Sequence, residues 1–154
     1  MMKNIFFYDT PVGRLMIAEE NGRITCIEKD RQDHDGKINE TSVIKEAKKQ
    51  LEEYFLGKRR EFDIPLCPKG TEFQKKVWKA LCDIPYGETR SYKEIAAAAG
   101  NEKACRAVGM ANNRNPISIV IPCHRVIGAD GKLVGYGGGL PMKRYLLDLE
   151  KQSK

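Results

Sequence analysis

Close cysteine pairs are missing from this chain of 154 residues: Cys26, Cys67, Cys82, Cys105 and Cys123 are odd in number and form no CxxC motif. Histidine is scarce too, with only His34 and His124. These shortages exclude a zinc ribbon and a disulfide framework, and they point to a reducing compartment. No apolar run is long enough to span a bilayer, and "MMKNIFFYDT" is too weakly apolar for a signal peptide, so a cytoplasmic or nuclear location is expected. The glycine-rich "GYGGG" lacks G-x-G-x-x-G spacing and suits a tight loop. The acidic loop "DRQDHDG" departs from EF-hand spacing, and Cys26 with His34 lacks further ligands. No metal and no cofactor are therefore expected.

What the chain does have is positive charge, unevenly placed. Its net charge is +6 with a pI near 9.1. Residues 1–68 carry 12 Lys+Arg against 13 Asp+Glu, whereas the remainder carries 15 against 8. An acidic partner, nucleic acid foremost, suits that second part.

Pattern divides the chain at the same point, into 1–68 and 69–154. "NIFFY", "GRLMIAE" and "GRITCIE" read as antiparallel strands, the last two joined by the hairpin signal Asn21-Gly22. A helix from Thr41 to Leu56 follows, with Val43, Ala47, Leu51 and Tyr54 on one face and Gly57 as its stop. "EFDIPL" alternates like a further strand, and "CPKG" is the expected linker. The second part opens on Thr71 and Gln74 in capping-box spacing, before a helix with Phe73, Val77, Leu81 and Ile84 on one face and Trp78 in its core. The fold class is α/β (α+β): a small antiparallel-sheet α/β domain, then a mostly helical, winged-helix-like domain.

"TRSYKEIAAAAGNEKACRAVGMANNRNP" resembles a helix-turn-helix. Ser91 caps a helix to Ala99, Gly100 breaks it, and Asn101 caps a second helix to about Asn112. On that helix Ala104, Ala107, Val108 and Ala111 form the expected buried face. Lys103, Arg106, Met110 and Asn113 lie opposite, followed by Arg114. "ISIVI" then reads as a buried strand leading to Pro122-Cys123-His124-Arg125. A cysteine attacks only as thiolate, so Cys123 needs a base or a positive field. His124 is adjacent and would act through a turn or a bridging water.

"IPCHRV", with "KACRAVGMANNRNP" before it and "YGGG…LLDLE" after it, resembles the O6-alkylguanine-DNA alkyltransferases. That resemblance implies a ribonuclease H-like support domain at 1–68 and an alkyltransferase domain at 69–154. It implies a DNA repair protein, acting as a monomer, nucleoid-associated in a prokaryote, that takes an alkyl group from O6-alkylguanine in double-stranded DNA. Activity on O4-alkylthymine stays open. By position, Cys123 is the alkyl acceptor, His124 its base through water, and Glu150 the orienter of His124. Asn115 braces the turn, and Tyr92 protonates the departing guanine. Arg106 enters the duplex, with Lys103, Met110, Asn113 and Arg114 beside it. The Cys123 and Val126 carbonyls and Tyr136 line the pocket, where Gly137 stands in place of a frequent serine. A helix carrying Met142, Tyr145, Leu146 and Leu149 on one face ends at Glu150. Two other classes fit the residues: a Cys-His hydrolase turning over repeatedly, and a helix-turn-helix regulator with an incidental cysteine.

Overall fold

The computed structural model describes residues 3–31, 34–133, 136 and 138–153. It falls into two compact units, Met1–Pro68 and Lys69–Lys154.

In the first unit β1 (Lys3–Thr10), β2 (Gly13–Glu20) and β3 (Arg23–Lys29) pair antiparallel, while β4 (Lys37–Ile38) adds to β1 in parallel, for an order β3-β2-β1-β4. The Asn21-Gly22 turn works because both residues adopt positive φ, 55° and 78°. Ile5, Leu15, Ile17 and Ile27 are buried with Ile44, Ala47, Leu51 and Tyr54 of α1 (Ser42–Phe55). Helix α1 therefore turns Ile44, rather than Val43, into the core. The expected strand at "EFDIPL" is reduced to one bridge, Ile24 to Leu66. Pro65 has no N–H for a longer ladder, and its carbonyl instead accepts from Ile24 N at 2.8 Å.

The second unit begins with α2 (Glu72–Cys82), whose Thr71 and Gln74 form both bonds of the capping box. Trp78 is buried on it and donates its indole N–H to the Ala111 carbonyl at 2.8 Å. Next come β5 (Arg90–Ser91), α3 (Tyr92–Ala98) with a second capping box on Ser91 and Glu94, and α4 (Cys105–Asn113). The α4 helix starts later than Asn101, because that side chain accepts from Lys103 N at 3.0 Å and holds a turn instead. Its buried face is Val108, Ala111 and Asn112, while Ala107 is exposed, a rotation of the expected stripe.

No strand forms at "ISIVI". Ile117 is a bridge residue and 118–120 make turns, with bonds from Val120 N to the Ser118 carbonyl at 2.8 Å and from Ile121 N to the Ile117 carbonyl at 3.0 Å. The alternation is real but serves packing: Ile117, Ile119 and Ile121 are all buried. Ile119 sits at φ 73°, a strained setting for a β-branched residue that its burial holds in place. The chain then enters a 3-10 turn (Cys123–Arg125) and β6 (Val126–Ile127), which pairs in parallel with β5. Helix α5 (Leu140–Gln152) closes the unit. It buries Met142, Lys143, Leu146 and Glu150, and leaves Tyr145 exposed, contrary to the expected face.

Candidate active site

Four segments build one buried site. The 3-10 turn places Cys123, His124 and Arg125 in the interior, although two of the three are polar. Asn115 ties its approach: its side-chain amide donates to the Ile121 carbonyl at 2.7 Å, and its oxygen accepts from Ile117 N at 3.0 Å. Pairing of Arg90 with Val126 sets the start of α3, and so Tyr92, beside the residues that follow the turn. Helix α5 packs on the turn and turns Lys143 and Glu150, two helical turns apart, toward it.

Glu150 is where the polar groups converge. Its Oε2 lies 2.6 Å from His124 Nε2 and accepts from an Arg125 terminal nitrogen at 3.0 Å. Its Oε1 accepts from Arg125 Nε at 2.8 Å and from Gly87 N at 3.1 Å. Burial pushes this carboxyl up, yet the hydrogen bonds and charges of His124 and Arg125 together outweigh it and hold the group down at about 2. A carboxylate can only accept, so Nε2 carries the imidazole proton and Nδ1 is left bare. Nδ1 is buried without a hydrogen-bond partner among the described residues. Burial, then the charges of Arg125 and Lys143, keeps His124 below an ordinary histidine despite Glu150.

The thiol sits in a mixed field. Burial pushes Cys123 up to about 11, opposed by the Asn115 side chain, the Lys143 charge, its own backbone and Tyr136. Burial and then the same thiol raise Tyr92. Tyr136 is also raised, by burial first and then by Cys123. Its hydroxyl makes no hydrogen bond of good geometry among the described residues, though Cys123 and Ser118 lie near enough to act on it. Gly138 is closely approached: a Cβ there would come within 2.6 Å of Met142 Sδ and 2.8 Å of the Tyr136 ring, and both side chains would have to shift. Val126 is fully buried beside the turn. Gly137 lies outside the described residues.

Away from the thiol, Lys103, Arg106, Met110, Asn113 and Arg114 are all exposed, at helical spacing along and beside α4. Small Gly109, on the same helix, faces the Tyr92 ring. The α4 backbone thus lies near the pocket while its cations face outward.

Two residues of the site escaped the sequence reading. Arg125 stood inside "CHRV" but carried no signal of its own. Lys143 had one: a cation on the apolar stripe of Met142 and Leu146 must be paired or functional when it is buried. Burial lowers it to about 8, against the attraction of Cys123. Among the described residues no helix is long and apolar enough to cross a membrane.

Comparison with known proteins gives the family. Residues 72–152 match the family model "6-O-methylguanine DNA methyltransferase, DNA binding domain", and residues 6–68 match its "ribonuclease-like domain". A methylated-DNA–protein-cysteine methyltransferase of Methanosarcina barkeri is 62% identical over 116 residues, covering 75% of this chain and 73% of the relative. The constitutive enzyme of that name from Bacillus subtilis is 50% identical over 154 residues, covering 94% and 93%. The crystal structure of Mycobacterium tuberculosis OGT in complex with DNA superposes with a TM-score of 0.92 at 48% identity, covering 97% of this chain and 94% of that one. The chain belongs to the 6-O-methylguanine DNA methyltransferase family.

Proposed function

We propose that this protein repairs DNA by moving the alkyl group of O6-alkylguanine, chiefly methyl, onto its own Cys123, once per molecule. The observation that carries the reading is the turn itself. It buries a thiol and, on the next residue, an imidazole whose Nε2 is held 2.6 Å from Glu150.

A lesion stacked in a duplex cannot reach a buried sulfur, so the nucleotide is flipped out, at an expense of a few kcal/mol. The exposed row of Lys103, Arg106, Met110, Asn113 and Arg114 supports α4 as the DNA-facing helix, with Arg106 entering the stack the base has left. A thiol pushed up to about 11 is scarcely ionised near neutrality and needs a proton acceptor. His124 Nδ1, the bare nitrogen, receives the thiol proton through a bridging water. Sulfur then attacks the O6-alkyl carbon in line, a C–S bond forms, and the C–O6 bond breaks. Its electron pair leaves with guanine, and Tyr92 supplies a proton to the departing base. The carbonyls of Cys123 and Val126 and the Tyr136 ring hold the guanine in place. The thioether has no hydrolysable bond, so no second step restores the thiol. The alkyl group arrives on the DNA, and no donor cofactor enters the balance.

Intact-protein mass spectrometry after incubation with a duplex bearing O6-methylguanine tests this directly. One methyl per molecule is expected, mapped to the Cys123 peptide, with repaired lesions never outnumbering protein molecules. Lesions repaired in excess of protein, with Cys123 unmodified, would instead indicate a catalytic enzyme. A second expectation concerns α4. Arg106→Ala should slow repair of the duplex by about tenfold or more, since losing about 1.4 kcal/mol of flipping assistance is worth that factor. Reaction with free O6-alkylguanine should persist, because Arg106 is exposed on α4 while the thiol is buried. Equal losses in the two assays would remove Arg106 from base extrusion.

A further inference from the structure

Arg125 makes three well-placed hydrogen bonds in a site where the proposed chemistry gives it no task. Besides its two bonds to Glu150, at 2.8 and 3.0 Å, it donates to the Ile84 carbonyl at 2.7 Å. Its guanidinium also lies over the Tyr86 ring, 5.7 Å from the centroid. The group is therefore clamped between the end of α2 and the last turns of α5, and it fixes both oxygens of Glu150. A surface arginine could be explained by solvation; a buried one, at 6% exposure, needs a reason.

We propose that Arg125 is a positioning residue that keeps His124 neutral and ready to accept a proton, by matching the charge of Glu150. The inference rests on the reading of His124 as the base for Cys123. Charge counting in a buried cluster carries it. The guanidinium holds both oxygens of Glu150, including the one at His124 Nε2, and so offsets the negative charge that would retain a proton on the imidazole. Lys143 adds to the positive side, and a proton on His124 would be a further buried cation. Without Arg125 one opposing cation is gone, and the pull of Glu150 on the imidazole proton is stronger. The same carboxylate is thus orienting when shared with Arg125 and more proton-retaining when it is not.

The neighbours point the same way. Lys143 from α5 is a second cation acting on His124, and the group remaining on the turn is the Cys123 thiol. From α2 and the segment after it come Cys82 and Tyr86, both facing Arg125 rather than the imidazole. Glu150 is the one carboxylate acting on His124 among the described residues. Removing Arg125 would therefore leave no second acid to share the change.

The test follows His124 and the reaction separately in the full chain. Histidine-labelled protein is titrated by NMR in wild type, Arg125→Gln and Arg125→Lys. Single-turnover methyl transfer is measured across the same pH range. In Arg125→Gln the His124 midpoint should move up, and the acid limb of the rate profile should move with it. At a fixed pH on that limb the rate should drop by about tenfold for each unit moved. Arg125→Lys, which keeps the charge, should hold the midpoint near wild type while losing part of the rate through its poorer fork. An unmoved midpoint in a folded Arg125→Gln overturns the proposal. Should that variant fail to fold, the wild-type titration decides: a His124 midpoint at or above that of an ordinary histidine overturns it equally. A midpoint that moves while the rate profile does not follow supports the charge matching, and removes His124 as the base instead.

Discussion

Replacing Glu150 by glutamine is expected to destabilise the C-terminal unit by about 3–5 kcal/mol and to slow alkyl transfer by roughly two to four orders of magnitude. The two losses have separate origins in one side chain. Arg125 is buried, with two of its nitrogens on this carboxylate, and glutamine would leave that cation without a counter-charge. The amide NH2 would also face donors from Arg125, Gly87 or His124, where now only an acceptor stands. For the chemistry, glutamine removes the group that fixes which imidazole nitrogen is bare. Urea unfolding followed through Trp78, the one tryptophan and a buried member of this unit, reads the first loss. Single-turnover kinetics reads the second.

The same residue sets an acid limit on the fold. Its carboxyl is lowered from an ordinary 4.5 to about 2, with burial opposing and the bonds to His124 and Arg125 prevailing. A group depressed in the folded state adds stability that is present above its unfolded value and is lost as pH falls through its folded value. The wild-type urea midpoint should thus decline as pH falls from 4.5 toward 2, on account of this group. In Glu150→Gln that component is gone, and the decline should be shallower. An equally steep decline in both proteins would place the acid sensitivity elsewhere.

Much of this was legible in the chain, and what was not has physical reasons. The capping box at Thr71 and the N-cap at Ser91 were readable because each is a local contract between residues three apart. The Asn21-Gly22 hairpin was readable for the same reason. "ISIVI" misled because alternation reports which side chains are buried, and a strand is only one backbone that buries them; here turns and a strained Ile119 do so. The α4 stripe came out rotated because alanines give little information on direction, so Ala107 could face outward and Asn112 inward. Cys123 and His124 announced themselves by residue type in a distinctive string. Arg125 did not, since its partners Ile84 and Glu150 lie far away in sequence and only the fold joins them.

Lys143→Met should slow the reaction by removing a positive charge that acts on the thiol. Lys143 is fully buried, and burial has already lowered it to about 8, so its charge is poorly accommodated by the fold. Methionine has a similar volume and carries no charge, so the substitution removes the ammonium with little change of shape. The ammonium is, after the Asn115 side chain, among the influences drawing the Cys123 thiol down from the level burial imposes, and its loss should leave about tenfold less thiolate for each unit the thiol moves up. The pH profile separates this from a packing defect. In wild type the gain in rate with rising pH should flatten as Lys143 discharges near 8, because the cation that favours the thiolate is disappearing. Lys143→Met has no such cation to lose, so its rate should start lower and climb without that bend. Thiolate absorbance followed against pH gives the same comparison without DNA. A Lys143→Met thiol that ionises as readily as wild type would show that Lys143 shapes the pocket without charging it.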